Sequence, residues 1–133
     1  MLFRSIPSIA ASLAQLQALA TYIDQGSANA TFVFYSSAKP ESLEIAADNT
    51  TRLVILTLPK PCFKKMNADS IELHQTDASV VVKNGTAIWA RLFNGAGKAV
   101  ADFEVGSDIS LNNPGLIQGS TLMLNSIVFK PNV

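Results

Sequence analysis

Cys62 and His74 are the only thiol and the only imidazole in the chain, so any thiol-imidazole chemistry must run through this pair, brought together by the fold. Their surroundings favour a plainer role: Cys62 lies in a Pro-rich connection, and His74 falls on an expected strand with Ile71 and Leu73. One Cys and one His also argue against zinc sites of the usual kinds, which take three or four ligands, and against a disulfide framework. No Gly-x-Ser-x-Gly elbow is present for a serine hydrolase. Among the carboxylates, Asp102 and Glu104 share one strand face, the arrangement a glycosidase pair would start from. Adjacent acids on a hairpin are more simply read as solvated surface. Asp108 near Asn112 has no Asp/Asn-rich loop with a bidentate Glu after it, as calcium would require. The expectation is therefore no catalytic residue, no cofactor and no metal.

The segment Lys60-Pro-Cys-Phe-Lys-Lys65 is the only basic cluster, and Phe63 beside it forms a minimal stacking-plus-charge patch. Ten Lys and Arg balance ten Asp and Glu, whereas nucleic-acid binding requires a broad basic surface, so no nucleic-acid partner is expected. Glycines 95, 97, 106, 115 and 119 fall at strand ends and do not form a phosphate loop opening a helix. Trp89 alternates with Ala87, Arg91 and Phe93; it reads as a core residue, with an exposed stacking platform as the alternative.

These residues need elements to hold them, and 133 residues suffice for one domain, 1–133. Ile9, Leu13, Leu16, Ala20 and Ile23 recur at helical spacing, with Ser5 and Pro7 as start signals and Gly26 as the stop. This predicts one amphipathic helix over 8–25. Thereafter the period is two. Strands are expected at 31–35, 52–58, 70–74, 79–83, 86–93, 98–105, 108–111 and 121–129. Asn94-Gly-Ala-Gly97 makes the hairpin turn, its glycines and Asn permitting positive φ. Short strands at intervals of about ten residues predict a mainly β chain with an antiparallel β-sandwich over 30–130, jelly-roll or immunoglobulin-like.

Only 15% of residues are charged against 48% hydrophobic, so part of the surface must be uncharged or covered by a partner. The helix stripe Ile9, Leu13, Leu16 and Ile23 is the candidate assembly interface if it does not cover the sandwich. Arg4 ahead of an apolar stretch and Ala18-Leu-Ala20 suggest a secretory leader, but Gln15 and Gln17 interrupt the apolar run and argue against one. No apolar run approaches the roughly 20 residues of a membrane span, so no membrane insertion is expected. The Asn-x-Ser/Thr sequences at Asn29, Asn49 and Asn84 are read as chance.

The run Gly85-Thr-Ala-Ile-Trp-Ala-Arg91, continuing through Gly97, Val100, Asp102, Val105-Gly106, Asp108-Ile-Ser-Leu-Asn112, Gly119 and Ser126, resembles a family of small uncharacterised proteins from the virion structural modules of tailed bacteriophages and prophages. The helix 13–23, Ala30-Thr-Phe-Val-Phe-Tyr-Ser36 and Lys39-Pro40 extend the resemblance over most of the chain. Phe103 stands where family members often have glycine, the Gly/Ser-rich spacer is reduced to Ser107, and the 59–65 loop is unusual.

The resemblance implies a non-enzymatic virion protein, made in the host bacterial cytoplasm and multi-copy or homo-oligomeric among other virion proteins. The tail tip or baseplate is the first placement and capsid decoration the second. Its motif residues Trp89, Arg91, Gly97, Gly106 and Asn112 would fill the core or mark turns and strand ends. The alternative is a host-surface module for pilus or glycan, meeting its receptor through loops, Tyr35 or Trp89.

Overall fold

A computed structural model describes residues 8–130, leaving aside the side chain of Ile9. Helix α1 spans Ile9–Ile23, and Ser8 caps it by accepting the Ala11 amide at 3.1 Å. The expected start signals Ser5 and Pro7 lie outside the described residues. Strands follow as β1 (Thr31–Tyr35), β2 (Arg52–Thr57), β3 (Phe63–Met66), β4 (Ile71–Leu73), β5 (Ser79–Val80), β6 (Gly85–Thr86), β7 (Trp89–Phe93), β8 (Ala99–Glu104), β9 (Gly115–Leu116), β10 (Thr121–Leu122) and β11 (Ile127–Phe129).

The chain is mainly β with one N-terminal helix, but among the described residues the expected sandwich is not formed. Their strands divide among antiparallel sheets ordered β2-β1-β7-β8, β11-β4-β3, β10-β5 and β6-β9, none of which closes into a barrel or sandwich. Two local causes are visible. The strand expected over 121–129 is interrupted at 123–126, so its halves join different sheets. The strand expected over 108–111 is replaced by a tight turn in which the Asp108 carboxylate accepts the Glu104 amide at 2.8 Å and Gly106 donates to the Ile109 carbonyl at 2.6 Å. A single parallel bridge, Val105 to Ile109, remains.

Alternation along the four-stranded sheet gives it two apolar faces. Phe32 and Phe34 of β1, Val54 and Leu56 of β2, and Ala90 and Leu92 of β7 face the main core with Ile71, Leu73 and Ile127 of the three-stranded sheet. Helix α1 closes this core from its own side: Leu13, Ala20 and Ile23 are buried in it, and Leu16 and Leu19 pack partly against it. Of the stripe residues whose side chains are described, Leu13 and Ile23 are buried in this core and Leu16 packs partly against it, so the helix covers the β layers within the chain, beside β3 and β4.

The turn at 94–97 holds the helix end in place. Gly95 donates its amide to the Ile23 carbonyl at 3.3 Å and Asn94 Nδ2 donates to the Tyr22 carbonyl at 3.5 Å, satisfying carbonyls that a helix end leaves free. Gly97 has φ +79°, as a turn requires. Gly95 does not have positive φ; its glycine is required because a Cβ there would run into the Ala28 and Gln25 carbonyl oxygens.

Candidate functional site

The Cys62 amide donates to the Asp24 carboxylate at 3.0 Å and its thiol donates to the Ala20 carbonyl at 3.5 Å, so the residue fastens the 59–62 loop to the end of α1. Burial first, and Asp24 second, push the thiol up to about 12, which keeps it protonated and therefore a poor nucleophile. His74 donates its amide to the Cys62 carbonyl at 2.7 Å, a backbone link between the two. Its side chain borders an open cleft of about 600 Å3 with Asn29, Lys60, Thr76 and Asp77, a lining that does not include Cys62. Lys60 donates to the Gly26 and Ala28 carbonyls, and Lys65 lies 3.8 Å from Glu72. Phe63 packs partly against the core on β3, a strand where the sequence predicts a loop. Lys60 and Lys65 of the basic cluster thus have partners within the chain. Among the described residues no three or more His, Cys, Asp or Glu side chains form a group that could hold a metal ion.

The outer face of the four-stranded sheet carries the densest chemistry. Tyr35 and Trp89 stack with ring centroids 4.6 Å apart and are 1% and 0% exposed, and the Arg91 guanidinium lies 5.2 Å from the Trp89 ring centroid. Arg91 Nε and Nη2 donate to the two Asp102 oxygens at 2.7 and 3.0 Å. This hydrogen bonding raises the guanidinium above its ordinary value. Burial raises the Tyr35 phenol. With Asp102 bound to Arg91 and Glu104 exposed and accepting from Ser107 at 3.2 Å, the two acids expected on one strand face have separate structural partners. Neither aromatic is available as a receptor platform.

A strap, residues 37–50, covers these groups. Its ends meet where Ser36 donates to the Thr51 carbonyl at 3.0 Å, the closed-neck form of an Ω-loop. Arg91 donates to the Ile45 carbonyl at 2.8 Å and the Ser42 carbonyl at 3.4 Å, Trp89 Nε1 donates to Ser37 Oγ at 3.4 Å, and Ala47 packs on Val33, Tyr35 and Trp89. Strap side chains Leu43 and Ile45 nevertheless point outward, 40% and 49% exposed. At its foot Asp48 accepts from Thr50, which holds its carboxyl below the usual range.

Beside the strap the same face is bare. Amide bonds from Val82 to the Leu53 carbonyl and from Asp77 to the Thr57 carbonyl, both 2.9 Å, lay segment 77–82 along β2. Val81 enters the main core, so alternation turns Val80 and Val82 to the outer face, which Ile55, paired with Val33, also faces. These three are 56%, 59% and 39% exposed. Sequence reasoning missed this apolar shoulder, although three successive valines cannot all face one core and so carried the signal.

Of the other motif residues, Gly106 has φ +107° in the 105–109 turn, and Asn112 is exposed and borders a cleft with Leu111 and Asn113. No helix among the described residues is long and apolar enough to cross a membrane. No family model matches the chain, and neither a curated protein nor a solved structure matches it.

Proposed function

We propose that this chain is a non-enzymatic structural protein of a tailed-phage or prophage virion, an accessory part of the tail tip or baseplate that assembles with other virion proteins through the outer face of its four-stranded sheet. The observation that carries the assembly role is the shoulder of Ile55, Val80 and Val82. Apolar groups clustered on an exposed sheet face are the usual mark of an interaction site. The particle itself is supported by the resemblance of the 85–126 run. The non-enzymatic reading is supported by a thiol held protonated away from the cleft that His74 borders.

Quantitative mass spectrometry of particles purified from a lysate tests the proposal. Recovery of the chain at a fixed ratio to the tail proteins is expected. Its absence from tail-bearing particles overturns the placement.

A further inference from the structure

We infer that two copies of this chain pair face to face about a two-fold axis, the strap of each seating on the Ile55, Val80 and Val82 shoulder of the other. The inference rests on the reading above that the chain works through protein contacts on this face, and it names a second copy as the partner.

Three observations carry it. The first is shape. The strap adds a layer over the Tyr35 and Trp89 half of the face and leaves the shoulder as bare sheet, producing a step. A two-fold axis lying along that step in the interface plane carries the raised half of each copy onto the lowered half of the other, the self-complementary geometry of a closed dimer. The second is apolar matching: Leu43 and Ile45 are the outward apolar side chains of the strap, and the shoulder offers Ile55, Val80 and Val82 to receive them. The third is charge. The strap carries Glu41, Glu44 and Asp48 against the single Lys39, while the shoulder segments 52–56 and 77–83 carry Arg52 and Lys83 against the single Asp77, Lys83 also donating to the Thr50 carbonyl at the foot of its own strap. Each seated strap therefore brings an acidic edge to a basic one, twice per dimer, which sets the register as well as adding attraction.

Sedimentation equilibrium of the purified full chain reads the result, with circular dichroism confirming that each variant is folded. The wild type is expected to be a dimer. Val80→Glu, at a position already exposed, should leave a folded monomer. Glu41→Lys with Glu44→Lys, or Arg52→Glu with Lys83→Glu, should each raise the dissociation constant about tenfold or more, since every 1.4 kcal/mol is tenfold and facing like charges cost at least that. Combining all four reversals should restore it. A wild type that stays monomeric at every accessible concentration overturns the pairing. So does a dimer unmoved by these variants, or a fourfold reversal that stays weak. Failure of the virion placement reads out separately, in particle composition.

Discussion

Arg91 and Asp102 form a two-pronged ion pair across β7 and β8, Nε to Oδ1 at 2.7 Å and Nη2 to Oδ2 at 3.0 Å, with side chains only 3% and 9% exposed. Two further donors of the same guanidinium hold strap carbonyls, so the pair orients the group that fastens the strap. Removing one member of a buried pair leaves an uncompensated charge and costs roughly 3–5 kcal/mol. Asp102→Ala should lose that much in urea denaturation. Its Trp89 emission should also shift red as the strap loosens and water reaches the ring.

The two glycines of the 94–97 turn should answer differently to substitution. Gly97→Asn should be tolerated to within about 1 kcal/mol, because Asn enters the left-handed region more readily than other non-glycine residues and a Cβ there meets nothing. Gly95→Ala should cost about 1–3 kcal/mol or more, because its Cβ meets backbone that packs against the helix end. Thermal melts of the two variants check the order, and equal losses would show that turn conformation alone governs the site.

Helix-stripe variants should affect folding rather than association. Ile23→Ala and Leu13→Ala delete buried methyl groups, for which about 2–5 kcal/mol is typical. Denaturation should reveal this loss, while the oligomeric state of the molecules that remain folded should match the wild type.

The alkaline limb of stability should carry the mark of Cys62. Its thiol is raised from 9.0 to about 12 in the folded chain, so between those values the unfolded state releases a proton that the folded state keeps. Folding is thus favoured fully below pH 9 and loses this contribution as pH rises towards 12. Stability measured across that window should fall less steeply in Cys62→Ala than in the wild type. Alkylation of the native thiol at pH 8 should be slow and should become fast on denaturation.

Local signals were legible where one element answers to one pattern. The helix stripe, strand 31–35 and the hairpin around 94–97 are found close to where periodicity and turn chemistry place them. The division into separate sheets in place of the expected sandwich was not legible, because Asp108 turns its segment back through its own carboxylate and the 121–129 run divides between sheets; both outcomes depend on long-range pairing that period two does not encode. Phe63–Met66 is a strand although its lysines read as a loop, since an edge strand accommodates exposed Lys. The candidate site was half legible. Trp89 and Arg91 stood out by type, but the strap that covers them is polar and irregular, and it is held by carbonyl oxygens that any sequence would supply. The shoulder was written in Val80-Val81-Val82, yet its exposure follows only once Val81 is known to enter the core.

Lysine cross-linking with mass spectrometry on intact purified particles tests the central claim most directly. The account predicts that the chain is present and that its intermolecular cross-links, those between two copies of itself included, arise from Lys39 on the strap and Lys83 beside the shoulder. A chain missing from the particles, or linked to its neighbours only through Lys64, Lys65 and Lys130 on other parts of the surface, would contradict it.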